Sequence, residues 1–209
     1  MTALVLDQVR IAIGASVLID RLKLTVPAGE TVTVMGPSGS GKSSLLAYIG
    51  GWIDPAFSTE GSVRLGDRVL TDLPSEERRI GVLFQDALLF PHLSVGENLA
   101  FALPRTIRGI ERRRRVEAAL DTAELPGIAA RDPATLSGGQ KARVALFRTL
   151  LSEPRALLLD EPFGALDAEL KDRVRDFVFR HIRESRLPTL LVTHDIEDAR
   201  AAGGPIVRL

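Results

Sequence analysis

Nine residues near the N-terminus carry the first recognisable chemistry of this chain. Residues 36–44 read Gly-Pro-Ser-Gly-Ser-Gly-Lys-Ser-Ser and match the phosphate-loop pattern G-x-x-x-x-G-K-[ST] in full. The glycines let successive backbone N–H groups point inward, Lys42 can reach the β- and γ-phosphates, and the Ser43 hydroxyl can bind Mg²⁺. A flexible Gly/Ser turn is the alternative interpretation. The predicted nucleotide-binding residues are Gly36, Pro37, Ser38, Gly39, Ser40, Gly41, Lys42, Ser43 and Ser44.

A second anion-binding pattern lies at residues 136–140, Leu-Ser-Gly-Gly-Gln. Ser137 is a good N-cap, and Gly138 and Gly139 expose backbone N–H groups at the start of a predicted helix that continues beyond Gln140. Glycines at a helix start also occur as plain caps. Together with the first loop, the chain then has two helix starts that could bind a phosphate. The γ-phosphate of a single nucleotide needs only one of them.

Two acids and a glutamine follow predicted strands. Residues 156–159 are apolar without alternation, which indicates a strand buried on both faces, and Asp160 and Glu161 come at its end. Asp160 is placed to hold Mg²⁺, and Glu161 to polarise an attacking water. Gln85 ends the apolar run that starts at Ile80, at the strand end where α/β proteins bind ligands. For either acid alone, a solvated strand-end carboxylate is the competing interpretation.

The surrounding pattern predicts the elements that position these residues. Residues 32–35, 189–193 and 205–209 predict further strands, and residues 42–49 suit a helix that stops at two glycines. Alternating residues up to Val26, and a hairpin at 62–70 with Gly66-Asp67 as its turn, predict an antiparallel layer.

The middle of the chain has a helical pattern. Residues 116, 119, 120 and 123 form one apolar stripe, and a further helix is predicted from about Asp167. The run Arg112–Arg115 allows a nucleic-acid or lipid-headgroup interpretation, but the pattern favours a solvated helix face. We therefore predict one α/β domain over residues 1–209: a P-loop NTPase with a mainly parallel central sheet, an N-terminal antiparallel β layer and an inserted helical lobe. Its core covers about 1–85 and 152–209, and the lobe about 86–151.

Composition excludes several other functions. Basic and acidic residues number 27 each, and this zero net charge argues against a general nucleic-acid binder. The absence of cysteine excludes disulfides, thiolate catalysis and cysteine metal sites. The first residues do not resemble a signal peptide, and no apolar run approaches the roughly 18 residues of a membrane span.

The order of these motifs resembles that of the ATP-binding-cassette ATPases over essentially the whole chain. The 36–43 loop, Gln85, residues 136–140, Asp160-Glu161 and His194 occur in that family's order, with Ala165-Leu166-Asp167 before His194. The Leu-Ser-Gly-Gly-Gln sequence separates the family from other P-loop proteins. Residues 84–98 and 132–135 are similar in particular to ATPase subunits of bacterial solute importers, and most similar to the YnjD-like ATP-binding proteins.

The resemblance implies ATP and Mg²⁺ as cofactors and a head-to-tail homodimer on ATP binding. Each ATP would lie between the phosphate loop of one copy and residues 137–140 of the other. By the same resemblance, Gln85 senses Mg²⁺ and the attacking water, Glu161 is the general base, His194 contacts the γ-phosphate and Asp167 couples the two sites. The implied partners are a transmembrane permease subunit and a solute-binding protein, with no nucleic acid. The expected location is cytoplasmic, peripheral on the inner face of the cell membrane.

The sequence departs from the family's pattern in three places. Members of the family usually stack an aromatic residue on the adenine. In this chain, Ile13 is predicted to occupy the corresponding position. Lys141 stands where an arginine is common. The chain shows no appended regulatory domain, so regulation through one is not expected. Two other functions are possible alternatives. One is a mechanical ATPase of DNA repair or chromosome structure, although such proteins usually carry a long coiled coil. The other is a regulatory module without turnover, although such a module would have no need of Glu161.

Overall fold

The computed structural model describes residues 2–166 and 168–209. In chain order its elements are β1 (Leu4–Ile13), β2 (Ser16–Val26), β3 (Thr31–Met35), α1 (Lys42–Gly50), β4 (Phe57–Leu65), β5 (Arg68–Val69), α2 (Ser75–Arg78), β6 (Ile80–Leu83), α3 (Val95–Ala102), α4 (Gly109–Thr122), a 3₁₀ turn (Pro133–Thr135), α5 (Gly138–Leu151), β7 (Ala156–Asp160), α6 (Ala168–Glu184), β8 (Thr189–Val192), α7 (Ile196–Ala202) and β9 (Ile206–Arg208).

The N-terminal sheet is antiparallel, with strand order β2-β1-β4-β5. The end of β2 alternates, with Lys23 and Thr25 exposed and Val26 buried, and Gly66-Asp67 connects β4 to β5, as predicted. Gly61 of β4 has φ 89°, and a Cβ there would lie 2.5 Å from the Gln8 carbonyl oxygen. Only glycine therefore allows β4 to approach the irregular part of β1 this closely.

The second sheet has the order β6-β7-β8-β3-β9, and β8 pairs in parallel with both β7 and β3. Residues 156–159 of β7 are each 0% exposed, which confirms the prediction of a strand buried on both faces. Val192 of β8 is in register with Val34 on one side and Asp160 on the other. The residues that follow β3 and β7 therefore leave the sheet at the same edge, about 10 Å apart.

One apolar cluster joins both sheets and α1. It includes Leu6 and Ile11 from the first sheet, Val34 and Leu190 from the second, and Leu45 from the helix. The helix that follows the phosphate loop is thus fixed by the same core as the strands beside it.

Arg78 caps the end of α1, and the sequence pattern did not reveal it. This buried guanidinium donates to the carbonyls of Tyr48 and Ile49 at 2.8 Å, and to those of Leu73 and Thr71 at 2.9 Å. Carbonyls in the last turn of a helix have no partner within the helix, so Arg78 satisfies groups that burial would otherwise penalise.

The chain divides into two compact units. The first consists of Met1–Val82, Arg155–Glu161 and Asp176–Leu209, and the second of Leu83–Pro154 and Pro162–Arg175. The second unit contains α3, α4 and α5. Both α3 and α5 begin with a full capping box, formed by Ser94 and Glu97 and by Ser137 and Gln140.

The sequence predicted that Arg112–Arg115 form a solvated helix face, and this prediction is wrong at Arg112. Its guanidinium is partly buried and donates to the carbonyls of Ala100, Leu103, Pro104 and Ile107, which tie the end of α3 to α4. Four carbonyls that converge on one guanidinium outcompete water for this side chain. Arg113 is exposed and Arg114 pairs at the surface with Glu111, as expected of a solvated face. In residues 2–166 and 168–209, no helix is both long and apolar enough to cross a membrane.

Candidate active site

The phosphate loop has the backbone that its glycines predict. Gly39 and Gly41 have φ values of 84° and 93°, in the left-handed region that favours glycine. A Cβ on Gly36 would lie 2.7 Å from the Ser40 Oγ and 2.8 Å from the Leu209 carbonyl oxygen, so this position has no room for a side chain. The loop therefore depends on glycine for conformation and for space.

Lys42 lies across the loop that precedes it. Its ammonium group donates to the carbonyl oxygens of Gly36 at 2.9 Å and Pro37 at 2.7 Å. Gly41, the N-cap of α1, supplies no side-chain cap, so N–H groups in the first turn can bind an anion at the positive end of the helix dipole. The Ser40 hydroxyl oxygen is buried and has no hydrogen-bond partner in the described part of the chain.

Asp160 is a partly buried carboxylate beside this loop. Burial raises its pKa above the ordinary value, the neighbouring Glu161 raises it further, and the positive charge of Lys42 opposes both effects. β7, which ends at Asp160, and β3, which precedes the loop, leave the sheet at the same edge, so Asp160 lies on the side of the sheet where the loop lies. A carboxylate whose charge is disfavoured by burial is stabilised by a cation bound next to it.

Glu161 is held from three directions. Its Oε1 accepts a hydrogen bond from the His194 backbone N–H at 3.0 Å and contacts the His194 Nδ1 at 2.8 Å. Its Oε2 accepts one from the Thr193 hydroxyl at 3.2 Å. Glu161 also has φ 47°, a left-handed conformation that costs a non-glycine residue about 1 kcal/mol or more. These contacts fix the carboxylate in place against that strain.

His194 is at the surface, with 80% of its side chain exposed against 15% for Glu161. The hydrogen bond to Glu161 raises the pKa of His194, and the charges of Glu161, Asp195 and Asp198 act in the same direction. The raised pKa favours the protonated ring, which can donate a hydrogen bond to Glu161 in this conformation.

The donor set fits a magnesium ion held with a nucleotide. Among the described residues, no group of three or more His, Asp or Glu side chains is placed to hold a metal ion. Ser43, exposed in the first turn of α1, and Asp160 offer two oxygen ligands. Mg²⁺ usually takes one or two protein oxygens and completes its octahedron with phosphates and water, and these residues can supply that share.

The Leu136–Gln140 segment belongs to the second unit. The Ser137 hydroxyl accepts from the Gln140 N–H at 3.3 Å, and the Gln140 Oε1 accepts from the Ser137 N–H at 3.0 Å. A Cβ on Gly138 would meet nothing within 4 Å, whereas one on Gly139 would lie 3.1 Å from the Ala165 carbonyl oxygen. This helix start is exposed, as the pattern predicted, with open space at Gly138.

The structure brings Lys42, Asp160, Glu161 and His194 together in the first unit. Gln85 is exposed after β6 and belongs to the second unit, as do residues 136–140. Asp167, predicted to couple two sites, lies outside the described residues. Ile13, at the predicted adenine position, is 41% exposed at the end of β1.

Thr193 and Asp198 were missed by the sequence reasoning. The Thr193 hydroxyl contacts Glu161 and, at 3.5 Å, the Asp198 Oδ2, and it accepts from the Asp195 N–H at 3.0 Å. Asp198 is 2% exposed. The available signal was the Thr-His-Asp sequence directly after a buried strand, where polar side chains cluster at the carboxyl edge of a parallel sheet.

A parallel sheet with a phosphate loop after one strand and an acid pair after another defines a P-loop NTPase. A family model described as ABC transporter matches residues 19–164. The ABC transporter ATP-binding protein YnjD of Escherichia coli (strain K12) is 48% identical over 198 residues, covering 95% of this chain and 91% of that protein. The Fe(3+) ions import ATP-binding protein FbpC of Pseudomonas fluorescens is 42% identical, covering 95% of this chain and 56% of that protein.

A comparison with solved structures supports the same family. The ATP-binding cassette MJ0796, in a dimeric post-hydrolysis state bound to ADP and Pi, is 35% identical with a TM-score of 0.85, covering 99% of this chain and 94% of that chain. The chain belongs to the ABC transporter family, whose ATP-binding subunits hydrolyse ATP to power transport. This confirms the predicted fold class, the family and the ATPase activity. The chain spans about half the length of the import ATP-binding relatives that it matches.

Proposed function

We propose that this chain is the ATP-hydrolysing subunit of a bacterial solute importer and acts as a homodimer that closes on ATP. The observation that carries the proposal is the Glu161 carboxylate, which Thr193 and His194 fix directly after β7. A module that only bound nucleotide would gain nothing from a carboxylate held in a strained conformation at this position.

Hydrolysis would begin with the triphosphate on the phosphate loop. The ammonium group of Lys42 exchanges the carbonyls of Gly36 and Pro37 for the β- and γ-phosphates, and the α1 N–H groups bind phosphate oxygens. Residues 36–44 form this binding site. Ser43 and Asp160, with Gln85, would hold the Mg²⁺, whose charge offsets that of the phosphates.

Glu161 is the general base in this proposal. It orients a water for attack on the γ-phosphorus and accepts a proton from it. The bond from the γ-phosphorus to the β–γ bridging oxygen breaks and ADP leaves, while His194 donates a hydrogen bond to the γ-phosphate. Gln85 senses the water and the metal. The contact between the Glu161 carboxylate and the His194 ring supports the assignment of both side chains to one reaction centre.

The second copy completes the site through the start of α5. Ser137, Gly138, Gly139 and Gln140 would bind the γ-phosphate of the ATP on the opposite phosphate loop, and Asp167 would couple the two sites. The exposed helix start and the open space at Gly138 support this role, because an anion there meets backbone N–H groups without a side chain in the way. We also propose that residues 1–209 form one cassette domain, with its core at about 1–85 and 152–209 and its helical lobe at about 86–151.

The importer assignment rests on relatives. The import ATP-binding proteins FbpC, from Pseudomonas fluorescens, and CysA, from Xanthomonas campestris, are 42% and 44% identical to this chain, and their names assign them to Fe(3+) and sulfate/thiosulfate import. We infer a transmembrane permease and a solute-binding protein as partners, no nucleic acid, and a cytoplasmic location on the inner face of the cell membrane.

Purification from membranes tests this function. The tagged Glu161→Gln variant, isolated with ATP from its native host, should bring with it a membrane permease that mass spectrometry identifies. The wild-type complex in vesicles should hydrolyse ATP faster when the solute-binding protein is added on the opposite side. Recovery of chromosomal DNA or a repair protein in place of a permease would overturn the importer assignment.

A further inference from the structure

The helix that begins at Ser137 reaches, near its other end, the segment that contains Gln85. Arg148 lies in the last turn of α5. Its Nη2 donates to the Ala87 carbonyl oxygen at 3.3 Å and its Nη1 to the Asn98 Oδ1 at 3.4 Å. The guanidinium carbon lies 5.1 Å from the centre of the Phe90 ring, within the range of a cation–π contact.

Burial makes these contacts important. Arg148 is half-buried, and this partial loss of hydration lowers its pKa. A half-buried guanidinium loses hydration that other groups must replace, and here a carbonyl, an amide oxygen and a ring face from residues 87–98 contact it. The positions of Arg148 and of this segment therefore depend on each other.

Asn98 holds the same segment from α3. It is 0% exposed, its Oδ1 accepts from the Phe90 N–H at 2.8 Å, and its Nδ2 donates to the carbonyls of Phe90, Leu93 and Ser94. Residues 87–94 have little regular secondary structure, so these side chains supply the bonds that a helix or a strand would otherwise make.

We propose that Arg148 is a positioning residue for Gln85: it ties the backbone two residues after Gln85 to the helix that starts with the Ser137 segment of the same subunit. The inference rests on the role proposed for Gln85 at the metal and the water. Eleven residues of α helix separate Ser137 from Arg148, a rigid span of about 16 Å. A displacement of the Ser137 end when the second copy closes on ATP would then move the Gln85 segment with it.

Three variants test the tie directly. Arg148→Met keeps the length of the apolar stem and removes every donor, Arg148→Lys keeps the charge but not the forked geometry, and Arg114→Met removes an exposed arginine from the same unit as a control. We expect amide hydrogen exchange over residues 86–93 to accelerate about tenfold or more in Arg148→Met and less in Arg148→Lys. Exchange in α4 should stay unchanged in both, and Arg114→Met should match wild type over residues 86–93.

The rate of ATP hydrolysis is the second readout. It is expressed per molecule able to bind ATP, so that a loss of folded protein does not lower it. Arg148→Met should lower kcat about tenfold and raise the Mg²⁺ concentration needed for half-maximal rate, with little change in the KM for ATP. Gln85→Ala should do the same, and the double variant should be no worse than the poorer single variant. Should Arg148→Met fail to fold, Arg148→Lys is compared with Gln85→Ala in the same cycle.

The outcomes separate the two ideas. Unchanged exchange over residues 86–93, or fully additive losses in the double variant, would overturn the role of Arg148 while leaving the ATPase assignment intact. Normal hydrolysis and Mg²⁺ dependence in Gln85→Ala would instead remove Gln85 from its proposed role, and the inference for Arg148 with it. In that case accelerated exchange in Arg148→Met would record only a local packing role.

Discussion

Replacement of Glu161 by Gln is the perturbation with the best-defined result. The amide oxygen can keep the hydrogen bond from the His194 N–H, and the Thr193 hydroxyl can turn to accept from the amide nitrogen. The structural loss is then limited to the charge in a few hydrogen bonds, on the order of 1–2 kcal/mol. Domains are usually stable by roughly 5–15 kcal/mol, so the variant should fold and bind ATP.

Turnover should respond far more strongly. A general base contributes typically 10²- to 10⁴-fold, so kcat should fall by about that factor, which corresponds to roughly 3–5 kcal/mol in the activation free energy. The assay is phosphate release at saturating Mg²⁺ and ATP. Glu197→Gln is the matched control, because this exposed acid on α7 pairs with Arg200 at the surface and its replacement should leave kcat unchanged.

The same variant has a spectroscopic signature. Because Glu161 raises the pKa of His194, removing its charge should lower that pKa toward 6.5, measured by NMR titration with His194→Ala as the assignment control. A raised pKa stabilises the fold below the unfolded value of about 6.5, and this contribution is lost as the pH rises through the folded pKa. The stability difference between wild type and variant should therefore shrink at alkaline pH. Undiminished phosphate release in the Glu161→Gln variant would refute the assignment of the base.

Three further changes have defined outcomes. Ile13→Tyr places an aromatic ring at the predicted adenine position and should tighten ATP binding about tenfold, since stacking is worth roughly 1–3 kcal/mol; calorimetric titrations with ATP and GTP that match wild type would reject that position. Gly36→Ala puts a Cβ 2.7 Å from the Ser40 Oγ and 2.8 Å from the Leu209 carbonyl oxygen, so ATP affinity should fall at least tenfold, and an unaltered Kd would contradict the loop geometry. Asn98→Ala removes a buried side chain that bonds to Phe90, Leu93 and Ser94. Urea unfolding should show that the free energy of unfolding falls by about 2–4 kcal/mol. As a control, replacement of the exposed Thr122 by Ala should lower it by less than about 1 kcal/mol.

Sequence alone predicted the elements whose signals are local. The buried run before Asp160, the glycines around Lys42 and the N-cap at Ser137 each place their own segment, and the structure has them as predicted. These signals come from residues that are neighbours in the chain, where period, capping and backbone freedom act directly.

Features that depend on long-range partners were not predictable. Arg112 belongs to a run that reads as solvated, yet carbonyls at the end of α3 bind it. Arg78 and Arg148 look like ordinary surface arginines until the fold brings the end of α1 and the segment after Gln85 to them. Thr193 acquires its role only because β8 lies next to β7, which brings it to Glu161. In each case the deciding interaction joins residues of different elements or loops, which a local sequence pattern does not reveal.

The central claim is that ATP is bound between two copies, with the phosphate loop of one facing the Ser137 segment of the other. Light scattering of the Glu161→Gln variant tests it most directly. The molar mass should rise from 22.6 kDa without nucleotide to about twice that value with Mg²⁺-ATP. Adding Ser137→Glu should abolish the rise by opposing the γ-phosphate, while Ser94→Glu, at the matching capping box of α3, should not. A mass that stays at 22.6 kDa with ATP bound would contradict the account.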